Sequence, residues 1–77
     1  MSKVLFKNWK YGLNKIALTK LFQQKANLGL KNAKSKTDDL LDGKIFIIKT
    51  ESFEQAEELV KEATAIGAVC EIIKDND

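Results

Sequence analysis

Histidine, arginine and proline are absent from this chain of 77 residues, so its 13 basic residues are all lysines. Without histidine, a Ser–His or Cys–His nucleophilic pair cannot form, and neither can a metal site built on histidine. Cysteine occurs once, at Cys70. A single cysteine excludes an internal disulfide and a cysteine metal cluster, and it suits a reducing compartment. We therefore expect a protein that uses no metal ion or other cofactor.

Long apolar runs are also missing. No run approaches the roughly 20 apolar residues of a membrane-spanning helix, and the start of the chain holds no apolar stretch long enough for a signal peptide. The composition, 44% hydrophobic and 31% charged, is that of an ordinary globular domain. A chain this short builds one domain. We expect a single cytoplasmic domain over residues 1–77, with no membrane partner.

The charged residues are divided unevenly along the chain. Residues 1–36 contain nine lysines and no acidic residue, whereas residues 37–77 contain four lysines and eleven acidic residues. The two segments carry net charges of +9 and −7, although the whole chain carries only +2. If the fold keeps this separation, the basic segment can attract an acidic partner at low salt.

Apolar periodicity predicts six elements, in the order strand, helix, helix, strand, helix, strand. Their expected ranges are 4–6, 15–24, 28–41, 44–49, 53–66 and 68–74. Asn14 is the expected N-cap of the first helix, and Ser52 with Gln55 forms a capping box before the third. The last two strands flank a crossover helix and should be parallel, with the first strand between them and antiparallel to both. These features predict an α+β fold, a two-layer sandwich with three helices on one face of a three-stranded sheet.

One residue of the first helix departs from its amphipathic pattern. Leu18, Leu21 and Phe22 share the arc expected to be buried, but Ile16 lies among lysines and glutamines on the opposite arc. An exposed apolar residue inside a charged rim has the composition of an interface centre. The alternative is an isolated surface isoleucine, which is common.

Enzymatic and nucleic-acid functions are not favoured. The carboxylates of the third helix form a solvated face, and the aspartates near the end of the second lack the alternation and glycine of a calcium loop. No phosphate-binding glycine loop is present. Cys70 shares the inward register of the last strand with Ala68 and Ile72, which predicts a buried core thiol. Trp9 and Tyr11 could stack on nucleic-acid bases or cover a strand end, but the chain lacks the arginines suited to phosphate and guanine contacts. We expect a non-catalytic protein that binds another protein.

A family resemblance accompanies these features. Residues 27–34, Asn-Leu-Gly-Leu-Lys-Asn-Ala-Lys, resemble the Gly-Leu-Gly-Leu-Lys-Glu-Ala-Lys segment in the C-terminal domain of the bacterial large-subunit ribosomal stalk protein. Residues 14–17, Asn-Lys-Ile-Ala, resemble its Asn-Lys-Val-Ala, and residues 52–74 follow its third helix and last strand. The resemblance covers almost the whole chain and implies the same order of elements.

The resemblance also implies a function. In that family the surface of the first two helices recruits and stimulates translational GTPases, whose contacting region is acidic. The matching surface here comprises Lys15, Ile16, Thr19, Lys20, Gln23, Gly29, Leu30, Lys31 and Lys34. The alternative is an adaptor or regulator of non-ribosomal machinery, because the Clp-protease adaptor family shares this architecture.

The chain differs from the family at several points. Gln23 stands where the family has an arginine that contacts the factors, and Thr19 replaces an apolar residue. The N-terminal dimerisation domain and hinge of the family have no counterpart here. An excised domain and a free-standing relative are both open alternatives, and the Met-Ser-Lys start favours the second.

A second interaction surface is expected on the uncovered face of the sheet. Phe46, Ile48, Val69 and Ile73 are predicted to point outward there and to form an apolar strip. Because such strips usually have a partner, they indicate a homodimer or a second protein at this face. The alternative is that side chains of the termini and Trp9 cover the strip.

Overall fold

The computed structural model of the protein describes residues 2–73. Its elements are β1 (Ser2–Trp9), α1 (Lys15–Lys25), α2 (Leu30–Leu41), β2 (Phe46–Thr50), α3 (Phe53–Ala65) and β3 (Ala68–Ile73). The predicted order of strands and helices is confirmed, and the fold is a small α+β fold. None of the helices in the described residues is long and apolar enough to cross a membrane.

The sheet has the predicted topology, with β1 at its centre. The strand order is β2-β1-β3, and β1 pairs antiparallel with both neighbours. Leu5 of β1 lies opposite Ile47 on one side and Glu71 on the other. β1 is longer than the predicted 4–6, because its pairing with β3 continues past an irregularity between Phe6 and Asn8.

The helix starts follow from local hydrogen bonds. The Asn14 side chain accepts a hydrogen bond from the backbone N–H of Ala17 at 3.0 Å, and the Ser52 side chain accepts one from Gln55 at 3.1 Å. Both predicted N-caps are thereby confirmed. α2 begins at Leu30 and not at the predicted residue 28. Asn27 takes a left-handed conformation (φ +56°), which interrupts the helical backbone between α1 and α2.

Three phenylalanine rings join the helices to the sheet. The ring of Phe6 lies 5.1 Å from that of Phe22, edge to face, and 5.4 Å from that of Phe46, stacked. Phe6 and Phe22 are fully buried, together with Leu18 of α1 and Leu40 of α2. Offset and edge-to-face ring contacts add to the apolar area that such side chains bury. The core therefore forms between the helix layer and one face of the sheet.

The predicted orientation of Phe46 and Ile48 is wrong. Phe46 packs against the core, and Ile48 is only 4% exposed within it. The exposed residues of this segment are Ile45 and Ile47. Residues 45–48 are apolar at every position, so alternation alone marks no buried face. The ring contacts of Phe46 with Phe6 and Phe22 decide which face is buried.

On β3 the alternation is as predicted. Cys70 and Ile72 pack against the core, so Val69 and Ile73 fall on the opposite face, where Glu71 pairs with Lys7 at 3.4 Å. Burial raises the pKa of the Cys70 thiol above its ordinary value.

Two aromatic residues are more exposed than the sequence suggested. Phe53 shares the apolar side of α3 with Ala56 and Val60 but is 54% exposed, because it stands at the start of the helix. Tyr11 is almost completely exposed and covers no strand end. Both rings are therefore available to contact another molecule.

Gly67 is required by its conformation and by its neighbour. Its φ is +108°, and a β-carbon added there would lie 2.9 Å from the Cα atom of Leu13. Gly12 also has a positive φ, +92°, but faces open space. We predict that Gly12→Ala lowers the free energy of unfolding by about 1 kcal/mol and that Gly67→Ala lowers it by about 2–4 kcal/mol. Urea unfolding of both variants measures the difference, and equal losses would contradict the predicted clash.

An ion pair between α1 and α3 makes stability depend on pH. The Lys25 ammonium lies 2.6 Å from the Glu58 carboxylate, and this hydrogen bond and charge lower the pKa of Glu58 from its ordinary 4.5. A lowered folded-state pKa gives stability that is present at neutral pH and is lost as the pH falls through that pKa.

We predict that Lys25→Met lowers the thermal unfolding midpoint at neutral pH, and that the difference from the parent disappears in acid. Lys61→Met, on the exposed side of α3, is the control and should show no such pH dependence. If the unfolding midpoint of Lys25→Met stays below that of the parent by the same amount throughout the acid range, the ion pair with Glu58 is not the cause of the difference.

Candidate protein-binding groove

α1 lies in the middle of the helix layer and runs antiparallel to both of its neighbours. It packs against α2 on one side and α3 on the other. The Gln55 side chain near the start of α3 donates to the carbonyl of Lys25 at the end of α1. At the other end, the N–H of Asn14 donates to the carbonyl of Ile66 at 3.1 Å. These contacts hold α1 between the two other helices.

A groove of about 360 Å³ separates the exposed sides of α1 and α2. We call it the α1/α2 groove. It is lined by Lys15, Ile16, Thr19, Lys20, Gln23, Leu30, Lys34, Thr37 and Asp38.

The orientation of α1 about its own axis explains why Ile16 is exposed in the groove. Leu18 and Phe22 are fully buried and Leu21 is nearly so. Residues about two positions away lie on the far side of a helix with 3.6 residues per turn. Ile16 is therefore held outward and is 72% exposed. Leu30, in the first turn of α2, lines the same groove and is 52% exposed.

The rim of the groove is basic. Lys15 and Lys20 of α1 and Lys34 of α2 contribute three ammonium groups to its lining, and Asp38 contributes one carboxylate. Among residues 2–73 none of these three lysines takes part in an ion pair. Their charges therefore remain available to an acidic partner.

Two threonine hydroxyl groups join the helices at the floor of the groove. The Oγ1 atoms of Thr19 and Thr37 lie 2.9 Å apart. Each also lies within hydrogen-bond distance of a carbonyl on its own helix, Lys15 O at 3.0 Å and Ala33 O at 3.1 Å. Because each hydroxyl has one proton, one donates across the groove and the other donates to its own helix.

The structure brings together most of the residues predicted from the sequence. Seven of them line the groove, namely Lys15, Ile16, Thr19, Lys20, Gln23, Leu30 and Lys34. Gly29 is the N-cap of α2, and Lys31 is exposed in the same turn; neither lines the groove. Thr37 and Asp38 were missed, although they follow Lys34 by three and four residues and so share its helix face.

The apolar strip on the uncovered face of the sheet consists of different residues from those predicted. With Phe46 and Ile48 in the core, the apolar residues of the uncovered face are Leu5, Ile47, Val69 and Ile73. We call this set the open sheet face. By strand alternation, Lys3 and Lys49 lie on the same side, as does the Lys7–Glu71 pair.

Acidic residues are concentrated on α3, on the far side of α1 from the groove. Glu54, Glu57, Glu58 and Glu62 are all exposed. Lys25 of α1 contacts Glu58 and Glu62, the latter at 3.8 Å. The charge separation along the chain thus partly persists in space, with a basic groove and an acidic α3.

No metal-binding arrangement occurs in the described part of the chain, which holds no group of three or more histidine, cysteine, aspartate or glutamate residues suited to hold an ion. Comparison of the chain with protein-family models and with curated proteins finds no match.

The threonine pair gives a direct test of how the groove is held. We predict that Thr19→Val and Thr37→Val each lower the free energy of unfolding by about 1 kcal/mol, because each removes a hydrogen bond between the helices. The double variant should lose less free energy of unfolding than the two single variants lose together, because both substitutions remove the same hydrogen bond. Urea unfolding of the four proteins measures this coupling, and strictly additive losses would contradict it.

Proposed function

We propose that this protein is a non-catalytic interaction module whose α1/α2 groove binds the acidic surface of a protein partner, and that the partner is a translational GTPase. One observation carries the proposal: Ile16 and Leu30 remain exposed in a single groove that three lysines surround. Apolar side chains inside a charged rim are the arrangement of a protein-binding site.

The physical chemistry of the groove favours a weak and reversible contact. Full burial of an isoleucine or leucine side chain contributes about 1.5–3 kcal/mol, so two of them supply a modest driving force after the cost of association. The lysines add long-range attraction and orientation, which raise the association rate more than the affinity. Binding should therefore be fast and sensitive to salt.

The resemblance to the ribosomal stalk domain supports the choice of partner. The surface that it implies for factor binding and the α1/α2 groove share seven residues. Gln23 offers a neutral amide in place of the family's arginine, and Thr19 forms the polar floor with Thr37. We therefore expect lower affinity for the factors than a stalk domain with the arginine would have.

Binding to purified translational GTPases tests the proposal. We expect Lys20→Glu to lower affinity by placing a carboxylate against an acidic partner, and Ile16→Asp to do so by removing the apolar anchor. Each should reduce affinity by about tenfold or more, a change of about 1.4 kcal/mol. Isothermal titration calorimetry or fluorescence anisotropy at low salt measures the effect.

Two matched variants serve as controls. Lys61→Glu makes the same charge change on the exposed side of α3, and Ile45→Asp alters an isoleucine that is 67% exposed outside the groove. Both should bind like the parent. If the parent binds no translational GTPase, that choice of partner is wrong and the adaptor alternative gains. If it binds and the groove variants bind equally well, the groove is not the site.

A further inference from the structure

The chain carries on α3 a surface that complements its own groove. Phe53, the first residue of α3, is 54% exposed, and the neighbouring Glu54 and Glu57 are exposed as well. Phe53 and Glu57 are one helical turn apart and share a face of the helix. We call these three residues the α3 corner. It is an apolar ring flanked by carboxylates, whereas the groove is apolar and flanked by lysines.

The α3 corner and the groove point in different directions. Glu58 and Glu62 contact Lys25 and so mark the side of α3 that faces α1. At 100° per residue, Phe53 and Glu57 lie roughly 140° around the helix from that side. The corner therefore faces away from α1, and the groove lies beyond α1 on the other side. One molecule cannot place its corner in its own groove.

We propose that the α3 corner of one molecule docks into the α1/α2 groove of a second copy. Phe53 then enters the groove, whose exposed apolar side chains are Ile16 and Leu30, and its flanking carboxylates face the lysines of the rim. Because the two surfaces differ and point apart, the contact is head to tail, and each dimer keeps one free groove and one free corner. Association therefore continues beyond two copies as concentration rises.

Charge favours this occupant over contact through the open sheet face. On that face the Glu71 carboxylate already pairs with Lys7, so among the described residues it holds no unpaired carboxylate that could face Lys49 of a second copy. The groove and the corner instead bring opposite charges and exposed apolar side chains into one contact.

The inference does not depend on a translational GTPase, although it uses the same groove. A second copy would compete with any acidic partner for Ile16, Leu30 and the rim lysines. Self-association is measured with this protein alone, so its absence would leave the proposed function standing. Failure to bind a translational GTPase would likewise leave the self-association proposal standing.

Analytical ultracentrifugation measures the association. At an ionic strength of about 0.01 M, where the Debye length is about 30 Å, we expect the weight-average mass to rise with concentration beyond that of a dimer. At about 0.15 M, where the Debye length is about 8 Å, it should fall toward the monomer. A monomer at all concentrations in low salt would overturn the proposal, as would a closed dimer that grows no further.

Complementation of two variants identifies the surfaces. Ile16→Asp blocks the groove and leaves the corner intact, whereas Phe53→Gln removes the anchor of the corner and leaves the groove intact. Each alone should remain monomeric at low salt. An equimolar mixture should form a one-to-one complex and nothing larger, because the mixture contains one complete contact with no free pair of surfaces to extend it.

Controls separate this contact from other modes of association. Ile45→Asp, outside the groove and the corner, should associate like the parent. Circular dichroism of every variant verifies that it is folded. If Ile16→Asp and Phe53→Gln still associate alone, or if their mixture stays monomeric, the proposal is wrong. If Ile47→Asp instead abolishes association, the second copy binds at the open sheet face.

Discussion

The contact among Phe6, Phe22 and Phe46 fixes how α1 lies on the sheet, and the groove depends on it. Phe22 meets the rings of both strands at 5.1 and 6.1 Å. Leu18, one turn before it, is fully buried in the same layer. With these side chains seated, α1 cannot roll about its axis without exposing aromatic and aliphatic surface. The outward direction of Ile16 and Lys20 is thus a consequence of what the opposite side of α1 buries.

The floor of the groove is polar, in contrast to the core beneath it. Thr19 and Thr37 hold α1 and α2 together by a hydrogen bond of 2.9 Å, so the helices meet there without a bulky apolar pair. Ile16 and Leu30 are not needed to fill the core and remain in contact with water. Exposed apolar residues gathered in one groove favour a binding role over a purely structural one.

Much of the fold could be predicted because its signals are local. Asn14 and Ser52 mark helix starts by their own side-chain hydrogen bonds, and helical periodicity separates Ile16 from the buried arc of α1. Glu71 marks the solvent side of β3. In residues 45–48 no polar residue does the same, and the buried side is chosen by contacts with distant parts of the chain. Sequence alternation therefore could not place Phe46 and Ile48 correctly.

The groove was only partly predictable for a related reason. Lysines around an exposed isoleucine indicate a surface, but which residues of α2 join it depends on how two helices cross. Thr37 lies on the same side of α2 as the buried Ala33 and Leu40, and it is only 3% exposed. Its hydroxyl nevertheless reaches Thr19 across the groove. That pairing is a tertiary contact, and neither helix pattern alone contains it.

Amide chemical-shift mapping shows which residues of the protein a partner contacts. In a titration of the isotope-labelled protein with a translational GTPase, we expect the first and largest changes at Ile16, Lys20, Gln23, Leu30 and Lys34. Changes confined to Leu5, Ile47 and Glu71, or to Trp9 and Tyr11, would contradict it, because they would place the partner on the sheet or on the loop after β1.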